Sequence, residues 1–324
     1  MQSILAVTVP FFALVLAGYL AARRHVLPES AIPGLNAFVL YFALPCMLFR
    51  FGNSTPVLEL LNPTTFALWL LCGLLIVLVT VAFSLNARVG MKDASFGALV
   101  AAFPNTGFMG LPLLAALMGP AATAPMVTTM LVDLFVTSSL CIALAQAATA
   151  AQDHGAGARV AAARALRGAL SNPLPWAIAL GALGSAVGFK LTGPVEVVVR
   201  LLSDAATPVA LFTIGAVLHR AGQHVHTRTA PQDFVPVALV KLFLHPMLFF
   251  LLAMAARSLG APMSGTHVVV LTLTAALPSA SNVSLLAERY DADNGRIARI
   301  IMTSTVLAFA SFSTLAWVFG VRPG

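Results

Sequence analysis

The chain has 324 residues, of which 59% are hydrophobic and only 9% are charged. Soluble globular proteins carry about 25% charged residues and about 45–50% apolar residues, so a soluble core could not hide this apolar excess. The net charge of +7 is scattered along the chain, and no basic cluster with interleaved aromatic residues points to a nucleic-acid surface. Composition therefore predicts an all-α membrane protein with much of its surface in lipid.

Apolar runs long enough to cross a bilayer recur along the whole chain. A spanning helix needs about 20 predominantly apolar residues. Runs of that size predict ten spans, at 3–22, 33–52, 64–87, 94–117, 124–148, 172–190, 197–218, 233–256, 266–287 and 297–319. The first run precedes the basic Arg23 and Arg24, which reverses the order of a cleavable signal peptide and predicts a retained span.

The longest polar stretch between the runs divides the predicted spans into five and five. We predict a first five-helix repeat at 1–148, a cytoplasmic linker at 149–171 and a second five-helix repeat at 172–324. With five spans per half, the second half would insert upside down relative to the first, as in inverted-repeat transporters. Self-similarity supports this: FALPCMLF at 42–49 and AATPVALF at 205–212 share Ala, Pro, Leu and Phe at one spacing.

The distribution of Lys and Arg predicts the orientation in the membrane. Cytoplasmic loops accumulate these residues. Twelve of them fall in the odd-numbered loops, whereas five fall in the even-numbered loops and at the C-terminus. This asymmetry predicts a multi-pass protein of the bacterial inner membrane with both termini in the periplasm.

The fourth and ninth predicted spans are interrupted by polar and helix-breaking residues near their centres. The residues at the two breaks are Pro104, Asn105, Thr106, Gly107, Pro278, Ser279, Ser281 and Asn282. Proline removes a backbone donor, glycine loosens the chain, and Asn, Ser and Thr compete for backbone hydrogen bonds. Non-helical backbone at this depth is tolerated only inside protein or beside a wet cavity.

Matching breaks in two halves are the best sequence indication of a transporter's binding site. The restarted half-helices would present N-terminal amides to an anion, which favours a secondary transporter for a small organic anion. The alternative for the breaks is a pair of ordinary proline kinks. A channel or a membrane sensor built on a transporter fold is the alternative function. The sequence contains no GxSxG or HExxH motif, and we predict no catalytic residue, metal or cofactor.

Four segments resemble the auxin efflux carrier family, and the resemblance covers essentially the whole chain. They are FPNTGFMGLPLL, NPLPWAIALG, TPVALFTIG and LPSASNVSLLAERY. Prokaryotic members are often described as permeases for malate or other small carboxylates. Membership implies a fold like bile-acid symporters and sodium–proton antiporters, in which two broken helices cross at their prolines. It would place the crossing at Pro104 and Pro278, with Asn105 and Asn282 as candidate substrate ligands, and it makes a homodimer plausible.

Two charged residues lie at mid-span positions. Asp133 is in the fifth predicted span and Lys241 is in the eighth. A charge at the bilayer centre costs at least about 2.5–3.5 kcal/mol, so it normally faces a cavity or a partner. The pair is a candidate site for proton or sodium coupling, and the alternative is a structural ion pair between the two spans.

Overall fold

The structure is a computed structural model that describes residues 1–54, 62–119, 122–153, 173–223 and 229–321. Within these ranges the regular structure is entirely helical. Seven of the described helices are long and apolar enough to cross a membrane, and three shorter ones are also apolar. The prediction of an all-α membrane protein is therefore confirmed, and the count of ten spans stays a prediction.

The helices form where apolar runs must satisfy their backbone groups internally in lipid. In chain order the helices in the described ranges are α1 Gln2–Arg23, α2 Glu29–Ser54, α3 Pro63–Ser84, α4 Met91–Ala102, α5 Thr106–Met118, α6 Thr123–Ala147, α7 Pro173–Ala186, α8 Gly193–Gln223, α9 Pro231–Ser258, α10 Gly265–Ala275, α11 Val283–Arg289 and α12 Asn294–Val318. Polar side chains cap several N-termini. Asn62, Ser264 and Asp293 accept hydrogen bonds from backbone amides in the first turns of α3, α10 and α12.

The predicted linker at 149–171 lies mostly outside the described residues, which resume at 173. The helical backbone that begins with α6 continues to Asp153, so the first residues of that predicted linker are helical. The predicted fourth and ninth spans are each two helices rather than one: α4 with α5, and α10 with α11.

Glycines bring α1 and α8 into direct backbone contact. A Cβ atom at Gly18 of α1 would overlap the carbonyl oxygen of Phe212 on α8. In the same way, a Cβ atom at Gly215 of α8 would overlap the carbonyl oxygen of Val15 on α1. Small residues at such positions let membrane helices approach closely, where dispersion and hydrogen bonding rather than water exclusion hold them together.

The contact between α2 and α7 repeats this arrangement. A Cβ atom at Gly181 of α7 would overlap the carbonyl oxygen of Phe49 on α2, and one at Gly52 would lie 2.7 Å from the carbonyl oxygen of Ile178. Gly181 and Ile178 lie 163 positions after Gly18 and Val15, whereas Phe49 and Gly52 lie 163 positions before Phe212 and Gly215. The two contacts are therefore equivalent, with the first and second halves of the chain exchanged. The same spacing relates FALPCMLF to AATPVALF.

Helices α1, α2, α7 and α8 form a first set, and a second set surrounds the crossing of the two broken helices. The second set consists of α3, α6, α9 and α12 together with α4 and α10, which are the first halves of the broken helices. Its members contact one another extensively, while α5 also contacts α1 and α8. Trp69, Phe249 and Phe312 are among the largest fully buried side chains of this set. The broken helices therefore lie inside protein, as non-helical backbone in a membrane requires.

Arg296 ties four helix ends of this second set together. Its side chain is almost completely buried and donates hydrogen bonds to the carbonyls of Asp233 at 2.7 Å and Asp93 at 2.8 Å. It also donates to Ser84 Oγ at 3.3 Å. A Cβ atom at Gly97 would lie 2.6 Å from the guanidinium, so this glycine makes room for it. The ends of α3, α4, α9 and α12 thereby share one buried cation.

Candidate functional site

The two broken helices cross at their non-helical segments. The backbone N–H of Asn105 donates to the carbonyl of Pro278 at 2.9 Å, and the N–H of Ala280 donates to the carbonyl of Phe103 at 3.0 Å. Pro104 and Ser279 face each other between these bonds as an isolated antiparallel bridge. The break in each half thus satisfies part of the backbone of the other.

Proline explains why helix α4 stops here. Helix α4 ends at Ala102, two residues before Pro104, which has no N–H and disfavours helical backbone at the residue preceding it. Beyond the break, the carbonyl of Asn105 accepts hydrogen bonds from Met109 at 3.2 Å and Gly110 at 2.9 Å, which starts α5. The first turn of α5 is a π-helical turn, a feature that occurs frequently at functional sites.

Four side-chain oxygen atoms at the crossing are buried without a hydrogen-bond partner among the described residues. Asn105 is 3% exposed, and Thr106 and Ser279 are each 1% exposed. Within the described part of the chain, Asn105 Oδ1, Thr106 Oγ1 and Ser279 Oγ find no hydrogen-bond partner, and neither does Asn282 Oδ1. A buried polar group without a partner costs about 1–3 kcal/mol, so a cluster of four indicates a site made for something other than folding.

Glycines close the packing around α5. A Cβ atom at Gly110 would overlap the side chain of Leu277, which lies just before the second break. A Cβ atom at Gly107 would lie 3.2 Å from Met130 Cε on α6. The start of α5 is therefore held tightly against both the second break and α6.

Two adjoining chambers lead away from the crossing. The inner chamber has a volume of about 380 Å³ and is lined by Pro33, Asn36, Ala37, Leu40, Tyr41, Phe108, Val217, Arg220, Ser281, Asn282 and Glu288. The outer chamber has a volume of about 430 Å³ and is lined by Glu29, Ser30, Pro33, Val217, Arg220, Ser284, Glu288 and Asn294. The two chambers share Arg220 and Glu288. Glu29 and Asn294 follow loops that the sequence predicts to be cytoplasmic.

The structure brings all eight predicted residues of the two breaks to one place. A further cavity of about 20 Å³ at the crossing is lined by Pro104, Asn105, Thr106, Gly107 and Asn282, among others. Ser281 and Asn282 face the inner chamber. Pro278 and Ser279 form the backbone contact itself.

Asp133 lies in a π-helical turn of α6 and is fully buried. Its Oδ1 accepts hydrogen bonds from Trp69 Nε1 at 3.0 Å and from Thr137 Oγ1 at 3.3 Å. Its Oδ2 has no partner among the described residues. One carboxylate oxygen is therefore held by protein, while the other is free to bind a proton or a cation.

Lys241 also lies in a π-helical turn, in α9, and is fully buried. Its ammonium donates to the carbonyl of Ala275 at 2.7 Å and lies 3.1 Å from Nδ1 of His245. Ala275 is the last residue of α10, where the carbonyl ends of the helix carry partial negative charge. Lys241 thus stabilises the end of the half-helix that leads into the second break.

Asp133 and Lys241 do not form a direct ion pair within 4.0 Å in the described structure. Between them stand the rings of Trp69 and His245, whose centroids are 5.4 Å apart. The structural ion pair considered from the sequence is therefore replaced by two separate hydrogen-bonded groups beside one aromatic contact.

Sequence reasoning missed three residues of this region. A tryptophan in the middle of a span needs a partner for its N–H, and this signal could have indicated the role of Trp69. A histidine within a span predicts core hydrogen bonding, which agrees with the burial of His245, but the sequence does not indicate that its partner is Lys241. Arg220 is one of the twelve Lys and Arg residues of the odd-numbered predicted loops, and nothing in the sequence indicates that it lines both chambers.

Comparisons with known proteins agree with the architecture. The family described as "Membrane transport protein" matches residues 3–318. A protein of Rhizobium meliloti named "Putative malonate transporter" is 28% identical over 327 residues, which cover 100% of this chain and 98% of that relative. "Uncharacterized transporter YfdV" of Escherichia coli strain K12 is 23% identical and covers 97% of this chain and 96% of its own length. Because the family match extends over nearly the whole sequence, the chain belongs to this membrane transport family, the auxin efflux carrier family.

Proposed function

We propose that the protein is a secondary transporter that carries a small organic anion, a carboxylate, across the bacterial inner membrane by alternating access. The observation that carries this proposal is the crossing of two broken helices, where one oxygen atom of each of four polar side chains is buried without a hydrogen-bond partner among the described residues. A ligand that contacts these groups would recover hydrogen bonds that folding leaves unmade.

An anion suits the electrostatics of the crossing. Helix α5 begins there, and the amides of its first turn carry partial positive charge that favours a negative group. Asn105 and Asn282 stand beside this turn as candidate substrate ligands. The name of the Rhizobium meliloti relative gives a carboxylate of the expected size, malonate.

Access from one side is consistent with alternating access. The inner and outer chambers connect the crossing to residues near the predicted cytoplasmic loops. We therefore assign this conformation to a state that faces the cytoplasm. A transporter of this type would expose the same crossing to the periplasm in its other state.

We further propose ten spans arranged as two inverted repeats, 1–148 and 172–324, with a cytoplasmic linker at 149–171 and both termini in the periplasm. The exchanged glycine contacts of α1–α8 and α2–α7, related by 163 positions, support this arrangement. So does the crossing, because it joins the fourth predicted span of one half to the fourth of the other.

Asp133 and Lys241 are proposed as the ion-coupling groups. The unpartnered oxygen of Asp133 can bind a proton or sodium ion. Lys241 holds the end of α10, so a change of charge nearby would act on the second break directly. This arrangement offers a physical link between ion binding and substrate binding.

Uptake by the purified protein in proteoliposomes tests the proposal. Labelled malonate, malate and acetate would be offered under imposed pH and sodium gradients. Accumulation against the substrate gradient is expected for at least one carboxylate and one ion gradient. Single-channel currents would identify a channel instead, and binding without any uptake would identify a sensor.

A further inference from the structure

We propose that Arg220 is the specificity-determining residue that selects substrates with a second acidic group; this inference rests on the proposed function. Arg220 lies near the C-terminal end of α8 and lines both chambers. Of these two chambers, the crossing residues Ser281 and Asn282 line the inner one and not the outer one. The inner chamber therefore has polar groups of the crossing at one end and Arg220 toward the other.

The charges of the chambers single out Arg220. Among the described residues that line the inner chamber, the charged side chains are Arg220 and Glu288, and the outer chamber adds Glu29. Without the arginine, every charged group lining the path would be a carboxylate. An anion with two charges would then be repelled along the whole path to the crossing.

Guanidinium chemistry suits a second carboxylate. The planar group can donate two parallel hydrogen bonds to one carboxylate. A chamber of about 380 Å³ falls within the range of small-molecule sites and has room for a short dianion. A monocarboxylate would use the crossing alone, so Arg220 would add affinity only for the dianion.

The position of Arg220 also places the two ends of the site on different helix sets. Arg220 belongs to α8, which glycines join to α1, whereas Asn282 precedes α11 beside the crossing. A dianion held at both ends would bridge these two sets. The second contact therefore depends on their present relative position.

Binding to the purified full-length protein tests the proposal with a matched pair of ligands. Malonate carries two carboxylates, and malonamate replaces one of them by an amide of nearly the same size. Wild-type protein should bind malonate at least about ten-fold more tightly than malonamate. Arg220→Gln should weaken malonate binding by about ten- to a hundred-fold, and should change malonamate binding by less than about two-fold.

Three further variants distinguish a direct contact between Arg220 and the ligand from a long-range effect of its charge. Arg220→Lys keeps the positive charge but lacks the two parallel N–H donors of the guanidinium. Its affinity for malonate should fall between those of wild type and Arg220→Gln. Arg289→Gln removes an exposed cation that lines neither chamber, and should bind both ligands like wild type. The double variant Arg220→Gln with Glu288→Gln should remain weak for malonate, because removing the repulsion does not replace the contact.

The outcomes distinguish this inference from the proposed function. Equal losses for both ligands in Arg220→Gln, or recovery of malonate selectivity in the double variant, would overturn the role of Arg220 while leaving carboxylate transport intact. A wild-type protein that binds neither ligand, and transports none of the labelled carboxylates, would refute both.

Discussion

Gly18 on α1 lies so close to Phe212 on α8 that their two helix backbones touch. We expect Gly18→Val to force the helices apart and to lower stability by about 1–3 kcal/mol or more, because neither backbone can yield. Thermal unfolding of the detergent-purified variant measures this effect. Gly34→Ala is the control, since a Cβ atom there has no neighbour within 4 Å. An unchanged melting temperature in Gly18→Val would contradict the close contact.

The crossing predicts a specific loss of binding. Asn105→Ala and Asn282→Ala should each weaken carboxylate binding by about ten- to a hundred-fold, the value of a hydrogen bond to a charged group. Folding should change little, because the oxygens concerned make no hydrogen bond within the described protein. Isothermal titration with thermal melts on the same samples separates affinity from stability.

Asn86→Ala is the matched control for these two variants. Its side chain accepts backbone hydrogen bonds from Arg88 at 2.8 Å and Val89 at 3.0 Å in the loop between α3 and α4, away from the chambers. It should lower stability and leave affinity intact. Wild-type affinity in both crossing variants would mean that the breaks are proline kinks and that the site lies elsewhere.

Asp133 and Lys241 allow a test of coupling. Asp133→Asn keeps an oxygen to accept the hydrogen bond from Trp69, so it should remain folded and bind substrate. Uptake should, however, lose its dependence on the imposed ion gradient. Gradient-driven and counterflow uptake in proteoliposomes distinguish these effects, and unaltered gradient dependence would end the coupling hypothesis.

Lys241→Met should destabilise the protein, because it removes the donor to the carbonyl of Ala275 and leaves that carbonyl unpaired. The cost of such an unpaired group is about 1–3 kcal/mol. Since Asp133 and Lys241 have separate partners, the losses of stability in the double variant should be close to additive. Recovery of stability in the double variant would instead show a direct ion pair.

We expect the largest loss of stability when Arg296 is replaced. Arg296→Leu would remove the hydrogen bonds to the carbonyls of Asp93 and Asp233, and a hydrogen bond that involves a charged group is worth about 1.5–3 kcal/mol. Arg296→Lys should recover only part of the lost stability, because an ammonium group cannot reach all the acceptors of the guanidinium at once. Arg289→Leu, an exposed neighbour on α11, should melt like wild type. Equal melting temperatures for the two leucine variants would rule out a structural role for Arg296.

Single-cysteine labelling tests the predicted topology. In a background without Cys46, Cys72 and Cys141, a cysteine at Ala87 or Ala161 should react only from the cytoplasmic side. A cysteine at Gly324 should react from the periplasm. A cytoplasmic C-terminus would overturn both the predicted count of spans and the inverted repeat.

Local signals explain what could be predicted from the sequence. Apolar length indicates spanning helices, and Pro104 and Pro278, each followed by polar residues, mark the two breaks. The contacts of the charged residues could not be predicted from such local signals, because their partners are remote in the sequence. The partner of Asp133 lies 64 residues away at Trp69, and that of Lys241 lies 34 residues away at Ala275.

The burial of Arg296 shows a second limit of sequence reasoning. From the sequence, a cation just outside an apolar run that faces water cannot be distinguished from one that is buried among carbonyl groups. Asp93 and Asp233 are remote from Arg296 in the sequence, and nothing in their spacing shows that four helix ends meet around one guanidinium. Only the packing of the helices brings these groups together.

The two hydrogen bonds between the broken helices are made by main-chain atoms. The N–H groups of Asn105 and Ala280 donate to the carbonyls of Pro278 and Phe103; every residue supplies a carbonyl, and every residue other than proline supplies an N–H group. The side chains at 105, 279 and 282 can therefore change without loss of these bonds. A related protein with other residues at these positions would keep the crossing of the two broken helices while binding a different substrate. Engineering of a new substrate specificity could begin at the same three positions.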